Sequence, residues 1–225
     1  MPKRKPGTRQ NALPGPDDIA RVVLPNGIVV LARENFTTQS VVIGGSLLVG
    51  SIQEKPEKAG LSSFVAAALT RGTKNRDFDT IHETLEGIGA SLGIGGGVHT
   101  TSFNGKSLAE DLPTLLELLS DALRNPAFPA DQTERLRGEI ITGLKIRAQD
   151  TRSVASDTFR KLAYADNHPY SRSSQGEIET ISAITLDEMA DLGLYPIGAD
   201  CLRQHPELAS TGPEIDRVAS ERNSR

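Results

Sequence analysis

The chain has 225 residues and a mass of 24.1 kDa, enough for one sizeable domain and too long to need disulfide or metal staples merely to fold. Hydrophobic residues make up 37% and charged residues 24%, with no apolar run near the roughly 18 to 20 residues that span a bilayer, so a helical membrane span is excluded. The single cysteine, Cys201, excludes an internal disulfide, a cysteine-based zinc cluster and a C-x-x-C redox pair, and fits a reducing compartment.

The net charge is −4. Lys3, Arg4, Lys5 and Arg9 form a tip without acids, so the body is more acidic than the total suggests. Aromatics are only 4%, with no tryptophan, and a basic face interleaved with stacking rings is missing, which argues against nucleic-acid binding. Pro6, Gly7, Pro14, Gly15 and Pro16 punctuate the start where a secretory signal would be apolar. A disordered arm over residues 1–18 and a cytoplasmic location are expected.

In chain order, Arg21–Leu24 and Ile28–Leu31 flank Pro25-Asn26-Gly27 and predict a β-hairpin. Ser40–Val49 predicts a strand buried on both faces, with Gly44 and Gly45 marking a bulge or a close backbone approach. Leu61, Phe64, Val65, Ala68 and Leu69 have helical spacing and predict a helix from about Ala59 to Arg71. A second helix follows Asp77, with Phe78, Ile81, Leu85 and Ile88 on one stripe. Ala90–Lys106 best fits two antiparallel strands.

Ser107-Leu-Ala-Glu110 has the form of a capping box opening a leucine-rich helix, and Asp131-Gln-Thr-Glu134 repeats that form before a helix reaching about Gln149. Further helices are predicted at Arg152–Tyr164, near Glu177–Ile181 and after Thr185. From Gly193 the apolar periodicity stops, which predicts a disordered or atypical tail over 193–225.

Several motifs invite chemistry. His82 and Glu86 share a helix face and give, with Glu83, a distorted zinc motif, but they also fit the solvated side of an amphipathic helix, which is the better reading. His99 and His168 lack a second ligand at metal spacing. Gly93–Gly97 lacks the lysine and hydroxyl of a phosphate loop, and Ser62 and Ser63 have no histidine base nearby.

Taken together, Leu24-Pro25-Asn26-Gly27, Gly50-Ser51, Ala59-Gly60-Leu61-Ser62-Ser63-Phe64, Arg71-Gly72-Thr73, Leu85-Glu86-Gly87-Ile88-Gly89-Ala90 and Arg124-Asn125-Pro126-Ala127-Phe128 resemble the N-terminal domain of the insulinase/pitrilysin zinc peptidases. The resemblance runs from about Ala20 to Asp191. It implies an α+β fold, a mixed but mostly antiparallel sheet of five or six strands with helices on one face, and a domain over 19–192. Leu61, Phe64, Val65, Leu112, Leu116, Leu119, Ile140 and Leu144 are the expected core.

Active members carry H-x-x-E-H on the helix after Gly-Leu, two histidines holding zinc and the glutamate acting as base. By the resemblance Ser63 stands at the first histidine, Ala66 at the base, Ala67 at the second histidine and Gly143 near the third ligand, a glutamate. No cofactor is therefore expected, although active members hold zinc, and the resemblance implies a non-catalytic companion of an active insulinase-family subunit. An extended peptide is a further possible partner. Companions have two homologous halves, the second contacting substrate, and the tail reads as truncation or an altered frame. Two alternatives stand beside this reading: a peptidase with a metal site built from His82, Glu83 and Glu86 or Glu139, and a decayed fragment.

Overall fold

The computed structural model describes residues 18–192. The expected arm, all but its last residue, and the expected tail lie outside the described residues. The chain divides into two compact units at Gln39/Ser40.

In the first unit β1 (Ala20–Val23) and β2 (Val29–Ala32) pair antiparallel, with Val22 opposite Val30. The hairpin closes as the Pro-Asn-Gly signal predicts. Gly27 takes φ +86°, and the Asn26 side chain accepts the Ile28 N–H at 3.0 Å, which replaces a ladder bond the turn cannot make.

In the second unit β3 (Ser40–Leu47), β4 (Ser91–Gly96) and β5 (Thr101–Leu108) form an antiparallel sheet in the order β3-β5-β4. The α+β architecture with antiparallel strands matches expectation, but the five described strands form two sheets rather than one. β3 is not buried on both faces. Its residues alternate between half-buried and exposed, and Val42 is 73% exposed. Its register with β5 runs unbroken from Ser40 opposite Leu108 to Leu47 opposite Thr101, so there is no bulge. The close approach does occur, since a Cβ on Gly45 would enter the Phe103 ring.

Helices cover the inner face, which carries Ile43, Leu92 and the buried Gly105. α2 (Phe78–Gly87) and α3 (Leu112–Arg124) meet there, packing Ile81, Leu85, Leu115 and Leu118 into one cluster with Ile43 and Leu92 beside it. A Cβ on Gly105 would lie 3.2 Å from Leu115 Cδ2; glycine there lets α3 sit close to the sheet. α1 (Leu61–Ala68), α4 (Ala130–Arg147), α6 (Ile178–Ala183) and α7 (Leu186–Asp191) share a second cluster around Phe64, Leu136, Ile181 and Met189. α5 (Thr151–Ala163) has no buried residue.

Several expectations change. Ser107 does not cap a helix. It pairs with Val41 inside β5, its hydroxyl donating to the Leu108 carbonyl at 2.9 Å, because the ladder with β3 continues through it to Leu108 and keeps the chain extended. α3 therefore starts at Leu112, and the leucines it buries are Leu115, Leu118 and Leu119, while Leu112 and Leu116 are only partly buried. Asp131 is likewise exposed within the first turn of α4, which follows Pro129 with no side-chain cap. Ile140 and Leu144 pack against the core but are only partly buried. α1 is shorter than expected, with a separate 3-10 turn at Pro56–Lys58 before it.

Two polar devices hold the helices in place. Asp121, 6% exposed, accepts from Thr73 Oγ1 at 2.7 Å, Asn75 Nδ2 at 2.5 Å, Arg76 Nη1 at 3.0 Å and Asn125 Nδ2 at 2.8 Å, tying the 73–76 loop to α3. Arg137 on α4 donates to the carbonyls of Ile181 and, at 2.8 Å, Ile184. These are carbonyls at the open end of α6. Its guanidinium lies 5.0 Å from the centre of the Phe64 ring.

Candidate functional site

The site is built on α1, whose start is fixed by an acid outside the helix. Glu54 accepts the backbone N–H of Gly60 at 2.8 Å and of Ser62 at 2.6 Å. These are among the N–H groups that a helix cannot satisfy internally, and they form its positive end. Gly60 has φ +92°, and a Cβ there would lie 2.7 Å from Gly176 Cα, so the 172–176 segment presses on the helix entry. Thr180 Oγ1 donates to the Ala59 carbonyl at 2.8 Å and Arg172 Nη2 to that of Glu54 at 3.1 Å.

Ser63, Ala66 and Ala67 follow at i, i+3 and i+4 and so share one face of the helix. The Ser63 hydroxyl donates to the Ser174 carbonyl at 2.6 Å, with Gly96 O at 3.5 Å. Ala66 is completely buried, and Ala67 packs against the apolar cluster that Ile94, Ile140 and Leu144 also border. Gly143 lies on α4, exposed, with no atom within 4 Å of where its Cβ would be.

These positions offer a hydroxyl already committed to a carbonyl, two methyl groups and a hydrogen. Zinc needs imidazole, thiolate or carboxylate donors, three or four at a site, and hydrolysis needs a base to take a proton from the metal-bound water. The residues present do not fit zinc at this face.

The alternative set is not assembled either. His82 packs on the Phe78 ring, centroids 4.2 Å apart, and Glu83 and Glu86 are exposed on the same helix. Glu139 is bound by Arg71 at 2.6 Å and faces Arg135 at 3.4 Å; the Arg71 hydrogen bond holds its carboxyl below the usual carboxylate range. Among the described residues no three or more His, Cys, Asp or Glu side chains are grouped so as to hold a metal ion.

Sequence reading missed two features. Glu54 gives no local sign of capping a helix six residues on, because the cap reaches across a turn. His99 and His168 meet around Tyr170: His99 Nε2 is 2.7 Å from the Tyr170 hydroxyl, and His168 Nδ1 accepts the Tyr170 N–H at 3.1 Å. Residues 71 apart in the chain leave no spacing signal.

β4, which packs beside α1, hydrogen-bonds only to β5 among the described strands. Its other edge pairs with no described strand. No described helix is long and apolar enough to cross a membrane.

A helix with Gly60-Leu61 at its entry, within an antiparallel α+β unit, agrees with the sequence resemblance. A family model described as Insulinase (Peptidase family M16) matches residues 29–172. The chain belongs to this family. Among its insulinase-family relatives, the mitochondrial-processing peptidase subunit beta of Saccharomyces cerevisiae is 30% identical over 186 residues, covering 83% of this chain and 38% of the relative. Subunit 1 of the mitochondrial cytochrome b-c1 complex of Rattus norvegicus is 27% identical over 169 residues, covering 75% and 35%. A crystal structure described as a peptidase M16 inactive domain from Pseudomonas fluorescens superposes with a TM-score of 0.71 at 25% identity, covering 77% of this chain and 42% of that one. The chain thus spans well under half the length of these relatives.

Proposed function

We propose that this insulinase-family domain is non-catalytic and serves as the companion of an active, H-x-x-E-H-bearing subunit in peptide degradation or processing. The observation that carries the reading is the α1 face, where Ser63, Ala66 and Ala67, with Gly143 on α4, supply neither a metal ligand set nor a base. Two of the similar proteins are named as subunits of larger assemblies and a third as an inactive domain, which supports a role without catalysis. Within a complex, the edge of β4 beside α1 that no described strand pairs suits an extended peptide, held by backbone hydrogen bonds without being cut. The expected location is the cytoplasm, which fractionation of the native cell checks.

The test has two arms. Protein purified, dialysed and incubated with zinc is expected to hold no stoichiometric metal and to leave unfolded peptides intact, and to co-purify from its native cell with an H-x-x-E-H protein. Tightly held zinc with proteolysis would overturn the non-catalytic assignment. Conversely, Ser63→His, Ala66→Glu and Ala67→His together are expected to bind zinc only weakly, and adding Gly143→Glu to tighten it, because the open space at Gly143 admits a carboxylate. Equal affinity with and without that fourth change would show that Gly143 is not the third-ligand position.

A further inference from the structure

α5 is an inside-out helix. Its least exposed residues are Ser153, Asp157 and Arg160, at i, i+4 and i+7, so its polar side faces the domain. Asp157 there pairs with Arg160 and lies 3.8 Å from Arg147 of α4. The apolar side faces out: Val154 is 45% exposed, Phe159 70% and Leu162 82%, and Ile146 at the end of α4 is 65% exposed. An amphipathic helix normally buries its apolar stripe, and large apolar side chains left exposed on its outward side mark a docking surface.

The surrounding charge selects what can dock. From Lys145 to Leu162 the chain carries five cations and two anions, whereas the other positions hold 20 cations and 27 anions of its 25 and 29. Lys145 and Arg152 form no ion pair among the described residues, while Lys161 faces Glu177 at 3.5 Å. Arg147 and Arg160 serve Asp157 on the inner side, so the cations left to the apolar stripe are Lys145 and Arg152, on an otherwise acidic protein. A second copy presenting the same stripe would set like charges against each other, and an anionic membrane would repel the acidic remainder.

We propose that the outer face of α5, with Ile146, is the surface that receives the companion's active subunit, and that this subunit presents an apolar patch edged with carboxylates. The inference rests on the companion reading. Phe159 and Leu162 are the anchors, the aromatic and aliphatic groups that lose most water on docking, and Lys145 and Arg152 steer the encounter.

The experiment titrates the purified chain against the H-x-x-E-H insulinase-family protein of the same cell. Phe159→Asp with Leu162→Asp is expected to weaken binding by at least about tenfold. Lys145→Glu with Arg152→Glu is expected to weaken it less and to flatten its salt dependence. Circular dichroism is expected to match the parent for both, since neither pair is buried, and Val42→Lys on β3 serves as a control that leaves binding unchanged. A wild-type complex indifferent to the stripe variants overturns this inference alone. Absence of any wild-type complex overturns the companion reading and this inference with it. Binding of the chain to vesicles of phosphatidylcholine and phosphatidylglycerol, or self-association, that is abolished by Phe159→Asp and Leu162→Asp would assign the stripe to a lipid surface or a second copy and overturn it as well.

Discussion

Ser63 and Ser174, 111 positions apart, are joined by a hydrogen bond of 2.6 Å from the hydroxyl of the first to the carbonyl of the second. A side chain on the face of α1 is thus used to hold a loop. The segment it grips also presses on Gly60 through Gly176, so the start of α1 and the 172–176 loop are fixed together.

Ser63→Ala is expected to lower stability by about 1 kcal/mol, the net worth of one partly buried hydrogen bond, with the secondary structure unchanged. Urea denaturation followed by circular dichroism measures this. A loss near zero would mean that water replaces the hydroxyl as donor to Ser174.

Gly60→Ala is expected to cost more, above about 2 kcal/mol, because a left-handed φ alone costs a side chain about 1–2 kcal/mol and the new Cβ would meet Gly176 Cα at 2.7 Å. The midpoint of chemical unfolding gives the shift. Gly143→Ala, on the exposed face of α4 with open space around it, is the contrasting control and is expected to be slightly stabilising.

Asp121 makes stability depend on acid. Burial alone pushes its carboxyl up, but the donors Thr73, Asn125, Asn75 and Arg76 outweigh burial and hold it below the usual range. With an unfolded value near 3.9, its contribution is complete above about that pH and is lost as pH falls through the lower folded value. Asp121→Asn is expected to cost about 3 kcal/mol at neutral pH, with the gap to wild type narrowing as the solution is acidified below about pH 4. A gap that stays constant down to pH 2 would count against this account.

β3 hydrogen-bonds only to β5 among the described strands, has no charged residue and leaves Val42 73% exposed. Such an edge invites pairing between chains. Concentration-dependent association in light scattering is expected, and Val42→Lys is expected to reduce it without changing the unfolding free energy by more than about 0.5 kcal/mol.

Much of the fold was legible because its signals are local. The Pro-Asn-Gly turn needs only the residues in it, and Thr185 with Glu188 closes a reciprocal cap within one turn, as observed. The expected helix at Ser107 went wrong for a non-local reason. Ser-x-x-Glu is equally compatible with a strand end, and Val41 across the ladder decided it. The candidate site divides in the same way: the residue types at Ser63, Ala66 and Ala67 are plain in the sequence, but the Ser174 carbonyl that engages Ser63 and the Glu54 carboxylate that starts its helix are not.

By itself, the order of residues determined the periodic elements, their turns and the chemistry available on α1, since no folding can make a methyl group donate to a metal or accept a proton. Tertiary structure decided which leucines of α3 are covered and which side of α5 faces out. Periodicity only says that a helix has two unlike faces; which one is buried depends on what the rest of the chain brings against it.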